Sequence, residues 1–123
     1  MDDSRGGKNI LKEKSYAFAL RVVKLYKYLC SHKEYVLSKQ VLRSGTAVGA
    51  LVSEAAFGQS KADFISKLSI ALKEANETLY WLSLLKDAAY IDVKMFKSIE
   101  PDIEELIKLL VSSIKTAKSN SNT

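Results

Sequence analysis

The stretch Phe18-Ala19-Leu20-Arg21-Val22-Val23-Lys24-Leu25-Tyr26-Lys27-Tyr28-Leu29 decides how this chain folds. Phe18, Val22, Leu25 and Leu29 recur at three- and four-residue steps, and Leu11 extends the series toward the N-terminus. At about 100° per residue these five share one narrow stripe, the pattern of a helix that buries one face. Lys14, Arg21, Lys24 and Tyr28 are expected to form a basic back on the same helix, with Lys27 at its margin. The spacing predicts a helix from about Asn9 to Cys30 with an apolar seam and a basic back.

The same period continues along the chain, and no strand-like alternation competes with it. Ser38 is the expected N-cap of a second helix whose seam is Val41, Val48, Leu51, Val52 and Ala55. That segment is rich in small residues. Gly45 and Gly49 each cost roughly 1 kcal/mol relative to Ala inside a helix. Four residues apart, they face one close neighbour, either a helix of the same chain or another subunit. Gly58 closes the second helix, and Ser60-Lys61-Ala62-Asp63 opens a third with the spacing of a capping box. The third seam is Phe64, Leu68, Ala71, Leu72, Ala75, Leu79, Leu82 and Leu85, flanked by Tyr80 and Trp81. Asp92 is the expected cap of a fourth helix carrying Phe96, Ile99, Ile103, Leu106, Leu110, Ile114 and Ala117. Pro101 lacks an amide proton and disfavours helix at Glu100, which predicts a kink or break. Four amphipathic segments with short connections read as one all-α domain over residues 9–118, an antiparallel up-down-up-down four-helix bundle. Residues 1–8 and 119–123 are expected to fray or be disordered.

Composition restricts the function classes. The chain has 123 residues, of which 47% are hydrophobic and 27% charged, with a formal net charge of +5. No apolar run approaches the roughly 18 residues that span a bilayer, and the N-terminus lacks a signal-peptide core, so a cytoplasmic location without membrane association is expected. The positive charge is unevenly placed. Residues 1–43 hold ten Lys and Arg against four acids, whereas the remainder is close to neutral. Such asymmetry points to a polyanionic partner.

A run from Leu37-Ser38-Lys39-Gln40-Val41-Leu42-Arg43-Ser44-Gly45-Thr46-Ala47-Val48 continues through Ser53-Glu54-Ala55, Gly58-Gln59-Ser60, Phe64, Leu68-Ser69-Ile70-Ala71, Glu74, Glu77-Thr78 and Trp81-Leu82. This series resembles the bacterial four-helix-bundle family of proteins encoded in intervening sequences of 23S rRNA genes, a family related to the accessory variability determinant of diversity-generating retroelements. The resemblance is carried by residues 15–90 and reaches the fourth helix only by pattern. It implies antiparallel bundles that assemble as homopentamers. For the retroelement member it implies a basic surface that meets nucleic acid and a reverse transcriptase. Carried over as basic character, it points to Lys14, Arg21, Lys24, Lys27 and Arg43 as contacts to RNA or DNA.

The remaining residue types argue against catalysis. Arg43, Glu54, Glu74 and Glu77 are expected in interhelical or intersubunit ion pairs that fix register, together with the close contacts at Gly45 and Gly49. A di-iron bundle site needs Glu-x-x-His on two helices, and His32 is the only histidine, so no metal or cofactor is expected. Cys30 and His32 lack an orienting acid or an oxyanion device. Arg5-Gly6-Gly7-Lys8 lacks the strand that a phosphate loop follows. The expected function is non-enzymatic, oligomeric binding of RNA or DNA through the backbone. The alternative is a scaffold whose basic face meets an acidic protein.

Overall fold

The computed structural model describes residues 3–120, which form four helices: α1 (Asp3–Ser31), α2 (Leu37–Ala55), α3 (Lys61–Asp87) and α4 (Val93–Asn120). The chain is an antiparallel four-helix bundle, with no strand among the described residues. Helices adjacent in sequence pack together, α1 also packs on α4, and the α1–α4 seam is the most open of the four. The seams converge as their spacing predicts. Phe18, Val22 and Leu29 from α1 meet Val41 and Val48 from α2, Leu68, Leu82 and Leu85 from α3, and Ile103, Leu106 and Leu110 from α4 in one buried core.

Several boundaries differ from the expected ones. The α1 backbone is already helical at Asp3, well before Asn9, because Gly6-Gly7 weakens helix propensity without terminating it. At the other terminus α4 extends through Asn120, and the fraying expected for Met1, Asp2 and residues 121–123 lies outside the described residues. α4 also runs unbroken through Pro101. Pro101 faces solvent, where the carbonyl freed by its missing amide can be hydrated. Gly58 does not close α2 through a left-handed backbone, since no glycine has positive φ. A Cβ there would stand 3.0 Å from Asp63 Oδ2 and 3.1 Å from the Ala55 carbonyl, so glycine permits a tight connection.

The left-handed positions are instead Lys33 (φ 67°) and Ala89 (φ 66°). At the first, the Lys33 amide donates to the Cys30 carbonyl (3.0 Å) and the Glu34 amide to the Leu29 carbonyl (2.8 Å). Ala89 and Tyr90 repeat that pattern on Lys86 (3.0 Å) and Leu85 (2.9 Å). Both are Schellman closures, which satisfy orphan helix carbonyls while turning the chain sharply. They set the α1–α2 and α3–α4 connections at the same end of the bundle.

Ser60 and Asp92 cap α3 and α4 as their positions suggest: Ser60 Oγ accepts from the Asp63 amide (3.1 Å), and Asp92 Oδ1 from the Met95 amide (2.8 Å). Ser38 is not the cap of α2; it is buried within the helix. The Schellman turn carries Glu34 over the helix start, where its carboxylate accepts from the amides of Ser38 (2.6 Å) and Val36 (3.3 Å). Glu34 is only 7% exposed. Burial alone would raise its pKa, but the amides of Ser38, Leu37 and Val36 outweigh this and hold it below the ordinary 4.5. Because the folded pKa is depressed, the stabilisation is complete above the unfolded value and is lost as pH falls through the folded one. Glu34→Gln is therefore expected to cost about 1 kcal/mol near neutrality. It should also flatten the loss of stability below about pH 4.5, which urea titrations across acid pH will measure.

Candidate nucleic-acid interface

The five cations expected to form one basic surface divide into two groups. Lys14 and Arg21 lie on the flank of α1 that meets α4, not on its back. Lys14 Nζ is 3.1 Å from Glu105 Oε1, and Arg21 Nη1 is 2.7 Å from Asp102 Oδ2. The Arg21 guanidinium also donates to the Ser98 carbonyl (2.8 Å) and to Ser98 Oγ (2.7 Å). Arg21 thus spans the open α1–α4 seam with a planar fork that lysine could not reproduce. The charge of Lys14 and Arg21 is largely answered within the chain.

Arg43 belongs to the α2–α3 seam. It donates to Glu74 Oε1 (3.1 Å) and to Glu77, whose Oε2 also accepts from Trp81 Nε1 (3.0 Å). The Trp81 N–H and the Arg43 guanidinium hold the Glu77 pKa below its ordinary value, against the effect of burial. Burial opposes the Arg43 charge, but Glu74 and Glu77 outweigh it and raise the guanidinium pKa. Beneath this network the buried Ser44 and Thr78 hydroxyls hydrogen-bond across the seam at 2.9 Å. Glu54 pairs separately with Lys67 at 3.6 Å. These contacts fix the register of α2 on α3. Among the described residues no cluster of His, Cys, Asp or Glu could hold a metal ion.

Gly45 and Gly49 both face α1. A Cβ on Gly45 would sit 2.8 Å from Val22 Cγ2, and one on Gly49 3.2 Å from the Ser15 carbonyl oxygen. The neighbour that the glycines admit is thus a helix of the same chain. Of the tyrosines interleaved with the α1 bases, Tyr16 is exposed, Tyr26 is half-buried, and Tyr28 is half-buried with its ring stacked on His32.

Lys24 and Lys27 are exposed on the outer side of α1 and make no ion pair among the described residues. Sequence reasoning counted Lys33 and Lys39 in the positive excess without assigning them to a surface. Both are exposed, with no ion pair among the described residues. Lys33 lies in the left-handed turn and Lys39 near the start of α2, so the four cations run along the second half of α1 and over the connection. The only acid between Lys24 and Lys39 is Glu34, whose carboxylate is withdrawn into the helix cap. The signal that finds this surface is the position of that acid relative to the helix start, a tertiary property and not a count.

The fold is a small all-α bundle with exposed lysines on the second half of α1, the α1–α2 connection and the start of α2. The chain belongs to the 23S rRNA-intervening sequence protein family, whose profile matches residues 7–112. It is 55% identical to a crystallised protein of unknown function from the S23 ribosomal protein family of Bacteroides thetaiotaomicron. The two structures align with a TM-score of 0.87 over 89% of this chain and 98% of that one. Comparison with curated proteins found no match. No helix among the described residues is long and apolar enough to cross a membrane.

Proposed function

We infer that the protein is a non-enzymatic, oligomeric accessory protein of the cytoplasm that binds RNA or DNA through the phosphate backbone. The observation that carries this reading is the set of four exposed lysines, Lys24, Lys27, Lys33 and Lys39, none in an ion pair among the described residues, with the intervening acid buried. A phosphate neutralised by such a lysine releases condensed counterions, so binding gains free energy without reading sequence. Lys14, Arg21 and Arg43 serve the α1–α4 and α2–α3 seams, which leaves the contacts to the outer cations. Exposed Tyr16 and Leu20 on the same helix support self-association, for which a pentamer is the expected form. In such a ring the cationic surface repeats by symmetry and multiplies its contacts. A ribonucleoprotein enzyme, such as a retroelement reverse transcriptase, is a candidate further partner.

The test is a salt titration of binding to labelled RNA and DNA oligonucleotides, with the mass measured by light scattering. Four contacts per protomer on a single strand predict an affinity loss of about 50-fold between about 50 and about 200 mM salt. A salt-independent affinity, or no binding at low salt, contradicts the reading. A mass of 13.7 kDa contradicts the oligomer.

A further inference from the structure

The end of the bundle that carries the α1–α2 and α3–α4 connections bears exposed apolar side chains that no core position requires. Tyr35 is 55% exposed, Val36 70%, Tyr90 45% and Val93 56%. Connections ordinarily use small polar residues, because a side chain there has no core to enter. These side chains are also arranged, not scattered. Tyr90 and Val93 line a shallow recess together with Tyr28 and Lys86. The Tyr28 ring stacks on exposed His32 with centroids 4.1 Å apart and planes at 29°. An aromatic row therefore runs from the α3–α4 connection across the last turn of α1, with Tyr35 on the adjacent connection.

Charge surrounds this row on one side of the balance. Lys33, Lys39, Lys94 and Lys97 are exposed and form no ion pair among the described residues. The acids of the same end are engaged: Glu34 and Asp92 accept from backbone amides at their helix starts, and Asp87 lies 3.6 Å from Lys86. Aromatic faces beside unpaired cations, with the local carboxylates occupied, suit a ligand that offers both flat rings and negative charge. An acidic peptide would use the lysines and leave the rings idle. A duplex would present phosphates while its bases stay stacked on each other.

Resting on the nucleic-acid reading above, we propose that this end of the bundle is a stacking platform for unpaired bases of a single-stranded nucleic acid. Tyr35 and Tyr90 offer faces to unpaired bases of one strand, while Lys33, Lys39 and Lys94 hold its phosphates. Stacking of this kind tolerates any base, so the platform selects single strands over duplexes and not one sequence over another.

The experiment compares a labelled oligoadenylate of about 12 nucleotides, within the span of one single-strand site, with an RNA duplex of the same length. The full chain is expected to bind the single strand more tightly at every salt concentration. Tyr35→Ala and Tyr90→Ala should each weaken single-strand binding by about tenfold and leave duplex binding and the salt slope unchanged. Tyr35→Phe and Tyr90→Phe keep the rings and should retain the wild-type preference. Helicity by circular dichroism separates lost stacking from lost fold, and Tyr35, being remote from the core, serves if the Tyr90 variant unfolds. Equal binding of both probes, or alanine variants that bind like wild type, overturns the platform and leaves backbone binding standing. Failure to bind either probe, or preference for polyglutamate, overturns both.

Discussion

Replacing Lys24, Lys27, Lys33 and Lys39 together with Glu is expected to weaken single-stranded RNA binding by at least about 100-fold at low salt. Four attractive contacts are lost and four repulsive charges take their place on one surface. The fold should survive, because all four side chains are exposed and none makes an ion pair among the described residues. Lys14→Gln is the informative contrast. It removes a lysine of the same helix whose ammonium already faces Glu105 at 3.1 Å. The cost in stability should be below about 1 kcal/mol, as for exposed ion pairs generally, and the RNA affinity should change by less than about twofold. Fluorescence anisotropy of labelled RNA with each variant measures the affinities, and urea titration measures the stability. If Lys14→Gln weakens binding as much as the fourfold variant, the division between paired and unpaired cations fails.

Gly45→Val is expected to destabilise the bundle by about 3 kcal/mol, lowering Tm by roughly 10 °C. The added Cβ alone would stand 2.8 and 2.9 Å from the two methyl carbons of Val22, which is fully buried. A β-branched neighbour has one favoured rotamer in a helix and cannot swing aside. Gly45→Ala should cost less, because the alanine recovers about 1 kcal/mol of helix propensity. Combining Gly45→Ala with Val22→Ala should relieve the clash, at the cost of the cavity that Val22 leaves. A urea midpoint unchanged by Gly45→Val would show that α1 and α2 do not meet as described.

How much of this was legible in the sequence depends on the range of the interaction. The four seams were readable because a helix repeats its buried face every three or four residues, whatever its partner. Ser60 and Asp92 were readable as caps because each bonds an amide three residues ahead. Glu34 was not, since it caps α2 only after Lys33 enters the left-handed region and folds the chain back. The direction of Lys14 and Arg21 was half legible. At about 100° per residue they stand roughly 50° and 70° from the centre of the α1 seam, on its flank and toward a neighbouring helix, but which carboxylate they meet depends on where α4 places Glu105, Asp102 and Ser98. For the same reason Glu74 and Glu77 were visible as ion-pair candidates without their partner being fixed. The family resemblance carried the fold. It could not assign individual contacts, because basic character is shared by residues that serve the seams and residues that face outward.

The most direct measurement is lysine footprinting: acetylation of each lysine by mass spectrometry, with and without saturating single-stranded RNA. Lys24, Lys27, Lys33 and Lys39 should be protected on binding. Lys73 on the outer side of α3 and Lys115 on that of α4 should react as in the free protein. Protection centred on Lys73 and Lys115, or none at the four lysines when RNA is bound, would contradict the assignment of this surface.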